Sequence, residues 1–435
     1  MNKLVANISW LLIGRIIQMI LSFIVFIFTV RYLGPANYGT ITYVNSYVAF
    51  FLNASTLGLD AVVINQLVKK QAGDGEIITS ATLLRLIASL IAYILLLFTV
   101  ANTDAGNREM LIITVIDGLQ MIFYSFFTIN LWFQYHLESK ITAIADVAAL
   151  AVTSILKVYL LLTKQNIYWF ASTVSIQYFL EACILVPIFL ARCKNKITAT
   201  KKTMALLLKG CLPFFISTLM LSLYSQIDRI MIKQILNSTE MVGLYAASLN
   251  ICTLITIVTD SICVSTRPLL MELKKGDSSK YQQRISQVLS VVIWISMIYS
   301  IIVAVFSKTV IQLLYGEAYY GAEASLKVVI WYTMFANIMN IRDLWLIDAK
   351  KSRYVTLFAV IGSVVDIVIN LLLIPRLGIV GAAVATLITH VSVDFILPMI
   401  FPPTREFGFL FVRGLLLKDV SRNDLRKLKS LRKSS

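Results

Sequence analysis

The side chains that can do chemistry in this chain stand in places where such residues are rare. Arg15, Arg85, Lys157 and Arg229 lie inside long apolar runs, and so do Asp60, Asp117, Asp146, Glu181, Asp260, Asp366 and His390. A charge in hydrocarbon is costly unless it is paired or wet, so such residues line an interior. Their spacing supports this. Arg15, Gln18 and Ser22 recur at three- and four-residue steps, as do Thr82, Arg85 and Ser89; Asp117, Gln120, Tyr124 and Thr128; and Thr173, Gln177 and Glu181. Asp146, Thr153 and Lys157, then Thr253, Thr256 and Asp260, continue the pattern. Ser363, Asp366 and Asn370, then Thr386, His390 and Asp394, complete it. Residues so spaced share one helix face, and stripes in both halves of the chain predict a polar central cavity. In PFFISTLMLSLYSQIDRIMIKQIL, Arg229 and Lys233 share a face. Two readings stay open there: a site for phosphate or an acidic sugar, or Arg229 paired with a neighbouring acid while Lys233 reaches outward.

Charge and composition exclude other chemistries. The net charge of +16 would suit nucleic acid, but the basic residues cluster between apolar runs and in the tail, as membrane topology requires. Cys183, Cys193, Cys211, Cys252 and Cys263 form no CxxC pair, and His136 and His390 are the only histidines. That pattern predicts no metal site, no disulfide framework and no cofactor. No nucleophile–base arrangement stands out, so no catalytic residue is assigned.

The elements that must position these residues are membrane helices. Hydrophobic residues make up 58% of the 435 and charged ones only 14%, too few charges to solvate a soluble surface. Apolar runs predict twelve spans, at 7–30, 39–67, 77–100, 110–132, 141–163, 167–191, 213–236, 241–266, 287–307, 325–348, 355–375 and 378–401. The fold class is thus an all-α polytopic membrane protein, with two six-helix lobes around the polar cavity. The N-lobe is 1–191, a basic amphipathic connector is 192–212, the C-lobe is 213–401, and 402–435 is a basic tail. With the N-terminus inside, the outer segments hold only Arg31, Arg108, Lys164, Lys308 and Arg376, while most other Lys and Arg fall in inner segments. Both termini are therefore expected in the cytoplasm.

Certain strings go further. RYLGPANYGTITYVNS (31–46), NASTLGLD (53–60), IDRIMI (227–232), VGLYAASLN (242–250), LLYGEAYYGAEASLKVV (313–329) and INLLLIPRLGIVGAAVATLIT (369–389) are distributed over nearly the whole chain. Together they resemble the polysaccharide transporter family, in particular the O-antigen flippases of Wzx type. That family belongs to the multidrug, oligosaccharidyl-lipid and polysaccharide exporter superfamily. The resemblance implies a flippase that moves an undecaprenyl-diphosphate-linked oligosaccharide, an O-antigen or capsule unit, across the bacterial inner membrane by alternating access. It implies Arg15 and Arg85 as head-group ligands, with Lys157, Arg229, Gln18, Gln177 and His390 lining the substrate path. It implies Asp60, Asp260, Glu181 and Asp366 as acids that hold a coupling proton or sodium ion, or pair with the arginines. Other polysaccharide-assembly proteins would be its partners.

Other classes leave different marks. A drug/cation antiporter of the same superfamily would favour an acidic cavity, whereas Arg15, Arg85, Lys157 and Arg229 suit an anionic load. A lipid II-type flippase is not separated by any single motif. A membrane-embedded sugar polymerase would carry a large external loop, and no outer segment greatly exceeds 307–324; a sugar transferase would carry an acidic pair on an early outer loop, where Asp104 and Glu109 stand five apart.

The topology is directly testable. Reporter fusions after Lys70, Lys202, Lys351 and the C-terminus should score cytoplasmic, and fusions near Asn37, Gly106 and Ser238 external. Two reversals would overturn the orientation.

Overall fold

Hydrocarbon offers backbone groups no water, so a spanning segment must satisfy them within itself. The computed structural model obeys this throughout: the described residues form helices and no strand. It describes residues 2–70, 72–276 and 278–419, and the side chains of 22–70, 72–211, 215–267, 269–274 and 279–419.

Contacts divide the chain into two units. Unit 1 is Met1–Ile230 with Ser238–Gly243, and unit 2 is Met231–Asn237 with Leu244–Ser435. The helices of unit 1 begin with α1 (Asn2–Ser55), α2 (Leu59–Lys69) and α3 (Asp74–Thr103). There follow α4 (Arg108–Gly118), α5 (Gln120–Tyr124), α6 (Ile129–Tyr135), α7 (Ser139–Leu162), α8 (Ile167–Arg192) and most of α9 (Lys201–Leu236). Unit 2 takes most of α10 (Thr239–Thr253), then α11 (Thr256–Gly276), α12 (Ser278–Val305), α13 (Ser307–Tyr315), α14 (Glu323–Val329), α15 (Thr333–Ala336) and α16 (Met339–Asp348). It ends with α17 (Arg353–Leu377), α18 (Ile379–Val391), α19 (Leu397–Ile400) and α20 (Arg405–Leu415).

Among the described residues nine helical stretches are long and apolar enough to cross a membrane, or ten if the bent pair Lys201–Cys211 and Phe215–Leu236 is one span. The difference from twelve has two local causes. The first two expected spans run together, because α1 continues through Gly34 and Pro35. Gly34, at φ 69°, is the turn between them, a conformation that a Cβ would disfavour. The tenth expected span, 325–348, is not one helix but α14, a 3-10 turn at Ile330–Tyr332, α15 and α16. The second expected span is also interrupted: Leu57 and Gly58 are left-handed, and α2 restarts at Leu59. That restart places Asp60 in the first turn of a helix, where the N-terminal dipole favours a carboxylate.

Side chains on the outer surface read as lipid-facing. On α3, Leu90, Ile91, Ile94, Leu95 and Phe98 are all exposed and form one stripe. Below them the core of unit 1 packs Leu59, Val63, Leu67, Ile77, Ala81, Phe133 and Leu207. In the connector, Thr203, Leu207 and Cys211 turn inward while Lys201, Lys202 and Lys209 stay exposed. Thr200 and Thr203 each donate to Glu76 Oε1 at 2.6 Å, which fixes the start of α9 to α3. The tail contains a helix not anticipated from composition. In α20, Phe407, Leu410, Phe411 and Gly414 recur at helical steps and pack on α12.

Gly39 and Gly243 meet inside unit 1. A Cβ on Gly39 would strike the Thr239 carbonyl and come 2.8 Å from Gly243 N; one on Gly243 would strike the Pro35 carbonyl and come 3.0 Å from Gly39 N. Such overpacking against backbone has no flexible side chain to yield. Gly39→Ala and Gly243→Ala should each destabilise the protein by at least about 2 kcal/mol, read as lost thermal stability in detergent. Gly73→Ala, whose new Cβ would lie 3.7 Å from the nearest side-chain atom, should be tolerated.

Candidate functional site

One of the most heavily buried ionisable side chains in unit 1 is Arg85, in α3. Its side chain is 1% exposed, and its Nη2 donates to Asp60 Oδ1 at 2.6 Å, while Asp60 itself is 59% exposed. The pair is therefore lopsided: the cation is enclosed and its partner sits at an opening. Arg85 Nε and Nη1 are buried and have no hydrogen-bond partner. A guanidinium has five N–H donors in a planar fork, so this one presents an unfilled edge. The Tyr124 ring lies 5.9 Å from the guanidinium carbon.

Around it the helices supply hydroxyls and amides. Ser125 Oγ donates to Ser89 Oγ at 3.0 Å, and Ser89 Oγ to Ser55 Oγ at 3.1 Å, linking α1, α3 and the 3-10 turn Ser125–Thr128. On α8, Gln177 Nε2 donates to Glu181 Oε1 at 3.1 Å. Tyr178, next to Gln177, meets Tyr124 edge-on at 5.1 Å, and Tyr124 stacks on Phe127 at 5.1 Å. Asp60, Arg85 and Glu181 all lie within electrostatic reach of Tyr124. Asp117 completes the shell. Gln120 donates to its Oδ1 at 2.8 Å, and its Oδ2 is buried with no hydrogen-bond partner.

Of the residues singled out in the sequence, this site brings together Arg85, Asp60, Gln177 and Glu181. Arg15 and Gln18 have side chains outside the described residues. Lys157 is half-buried on α7, and no hydrogen bond of the described residues ties it to Arg85. Arg229 stands apart on α9, where its Nη1 donates to Gln226 Oε1 at 2.7 Å and its Nε is buried with no hydrogen-bond partner. Lys233 donates to Asn237 at 3.2 Å. In unit 2, Asp260 accepts from Asn340 at 2.7 Å, Asp366 from Thr389 at 3.1 Å, and His390 Nδ1 is 2.9 Å from Asp394.

Tyr178 went unmarked in the sequence although it stands three residues from both Ser175 and Glu181, and Ser55 went unmarked because no polar residue lies three or four positions from it. Their role comes from neighbours brought in by packing.

Comparison with known proteins agrees with this architecture. The family model described as "Polysaccharide biosynthesis protein" matches residues 4–274, and the MatE model matches 213–372. The first covers more than half of the chain, and the chain belongs to that polysaccharide biosynthesis protein family. An uncharacterised membrane protein of Methanocaldococcus jannaschii is 20% identical over 416 residues, covering 88% of this chain and 81% of its own. Among solved structures, the lipid II flippase MurJ in an inward closed conformation has a TM-score of 0.66 at 17% identity, covering 96% of this chain and 95% of MurJ. A multidrug resistance MATE family transporter in an inward-facing conformation has a TM-score of 0.66 at 13% identity, covering 93% and 96%. A MOP superfamily transporter from Pyrococcus furiosus, described by a reversed polarity of its binding pocket, has a TM-score of 0.65 at 11% identity, covering 94% and 96%. The chain is thus a multi-pass membrane protein with the fold of MOP superfamily transporters.

The lopsided burial of the ion pair predicts an asymmetric response. Asp60→Asn strands an enclosed cation and should cost about 3 kcal/mol. Arg85→Gln leaves a carboxylate that water or headgroups can solvate, and should cost clearly less. Thermal unfolding of both single variants and the double variant measures this. Equal losses from the two single changes would contradict the burial argument.

Proposed function

We propose that this protein is a flippase for an undecaprenyl-diphosphate-linked oligosaccharide, moving it from the inner to the outer leaflet of a bacterial plasma membrane by alternating access. The observation that carries the reading is the enclosed Arg85 with two nitrogens, Nε and Nη1, left without a hydrogen-bond partner. Hydrocarbon blocks passage of a diphosphate and its sugars because neither can shed water without replacement bonds. A guanidinium edge supplies such bonds two at a time. Arg85 receives the diphosphate, with Arg15 on α1 as the second ligand. Lys157 and Arg229 add positive charge along the path, and Gln18 and Gln177 offer amides to sugar hydroxyls. Membership of the polysaccharide biosynthesis family supports this reading, as does likeness in fold to a protein named as a lipid II flippase. Glu181, Asp60, Asp260 and Asp366 are the acids available to a coupling ion. Both termini face the cytoplasm in this reading, and other polysaccharide-assembly proteins receive the product.

A second reading has its own support. The MatE match and the acids around Arg85 suit a drug or cation antiporter. The two readings part on Arg85. A flippase needs its charge; an antiporter for cations loses a repulsive group when it is removed.

Arg85→Ala should abolish export of surface polysaccharide, normalised to the amount of protein in the membrane. Arg85→Lys should recover only part, because an ammonium keeps charge but loses the fork. Full export by Arg85→Ala, or a gain of drug resistance in its place, would overturn the flippase reading.

A further inference from the structure

Three turns at one end of unit 1 gather around a recess that the transport reading does not use. The α2–α3 turn supplies Lys70 and Asp74, the α6–α7 turn His136, and the connector Lys194, while Trp132 on α6 also lines it. The recess has two adjoining lobes, of about 570 and 630 Å³, which share Asp74, His136 and Asn195. Each lobe falls in the range of small-molecule sites, about 300–1,000 Å³. Asp74 stands eleven residues before Arg85 on α3, about 16 Å along the helix axis. The recess and the Arg85 site are therefore separate places.

The acids of the recess are already engaged. His136 Nε2 lies 3.3 Å from Asp74 Oδ2, and Arg192 Nη1 donates to Glu138 Oε2 at 2.9 Å. Lys70 and Lys194 are exposed and enter no ion pair among the described residues. Lys70 closes α2 with a left-handed backbone, φ 52°. α3 begins here with Gly73 as its N-cap, so no side chain caps its first turn. The positive end of a 30-residue helix therefore meets the recess. Trp132 is 6% exposed, and its ring lies 4.3 Å from that of His136. Its Nε1 is buried with no hydrogen-bond partner. An indole N–H can only donate, and a buried donor left unused is unfavourable. Two ammoniums, a helix N-terminus and an indole N–H all suit an anion.

We propose that this recess binds a phosphate group, carried by an anionic headgroup of the adjoining leaflet or by a soluble phosphate ester. Donors that converge from three turns suit a tetrahedral phosphate better than a planar carboxylate. A phosphate oxygen accepts the indole hydrogen, and the two ammoniums offset the charge. The uncapped start of α3 favours the same group. Once bound, it ties the connector to the turns before α3 and α7. None of this depends on what the protein transports.

The chain has six tryptophans. Full-length protein labelled with 5-fluorotryptophan and held in dodecyl maltoside, which carries no phosphate, gives a fluorine-19 spectrum with few signals. The one lost in Trp132→Phe belongs to Trp132. Added glycerol 3-phosphate should move that signal saturably if the ligand is soluble. Added phosphatidylglycerol should move it, with no ester present, if the source is the leaflet. Movement in either arm supports the site, and the arm that responds names the source. Lys70→Gln combined with Lys194→Gln should raise the amount of ester or lipid needed at least tenfold. Lys209→Gln, exposed and outside the recess, should leave it unchanged. If Trp132→Phe does not fold, the signal whose movement is lost in the double lysine variant serves in its place. A spectrum that moves in neither arm overturns the proposal. Equal movement with sodium acetate overturns it, and so does full movement in the double lysine variant.

Discussion

A peptide carbonyl released from its helix inside a membrane has no water to turn to, and this one constraint shapes most of the molecule. At the α1–α2 break Ser55 and Thr56 serve the Leu52 and Asn53 carbonyls locally, each at 2.7 Å, but four other interruptions draw a donor from another helix. At the α4–α5 junction Ser175 on α8 donates to the carbonyls of Ile116 and Asp117, at 2.9 and 3.2 Å. At the α10–α11 break Tyr299 reaches the Ile251 carbonyl at 2.5 Å. At the Ile330–Tyr332 turn Ser300 donates to the Ile330 carbonyl at 3.0 Å. At the π turn Ser392–Ile396 the donor is Arg342 on α16, whose Nη1 lies 3.0 Å from the Val393 carbonyl. These four breaks are held open by side chains from other helices. They give a stiff bundle places where backbone and polar groups meet without solvent.

This explains what the sequence discloses and what it does not. Span positions depend on a run of apolar residues, and those are local. Expected ends at 77–100, 167–191 and 355–375 fall within a few residues of Asp74–Thr103, Ile167–Arg192 and Arg353–Leu377. The Gly34–Pro35 turn is also local, since two adjacent residues dictate it. The breaks are not, because Ser175, Tyr299 and Ser300 lie on other helices from the carbonyls they serve. The same holds for the candidate site. Polar spacing found Arg85, Gln177 and Glu181 one helix at a time, but the sequence alone left Asp60 free to hold an ion or to pair with an arginine. The restart of α2 at Leu59 gives Asp60 to Arg85. In the tail, composition showed charge and concealed the apolar face of α20.

Two buried arginines illustrate two uses of one side chain. Arg342 spreads its donors over two carboxylates, Asp343 and Asp394, and a carbonyl, so its geometry is fully determined by the protein. Arg85 has one carboxylate on one nitrogen and an open edge. Desolvating a guanidinium and leaving donors unused is unfavourable for stability. In the flippase reading proposed above, the open edge of Arg85 receives the diphosphate, whereas Arg342 is arranged around groups that the protein itself supplies.

The contact between Gly39 and Gly243 has a consequence for how such a chain can evolve. Each presses on backbone four residues before the other: Gly39 on Thr239, Gly243 on Pro35. The relation is reciprocal, as in a symmetric dimer whose two copies have been fused. In an ordinary core contact, growth on one side can be absorbed by shrinkage on the other, so the pair drifts together. Here both partners are already as small as a residue can be. No compensating change exists, and mutation can only leave this crossing, never explore around it. The surrounding helices can therefore diversify while this one point of the architecture holds still.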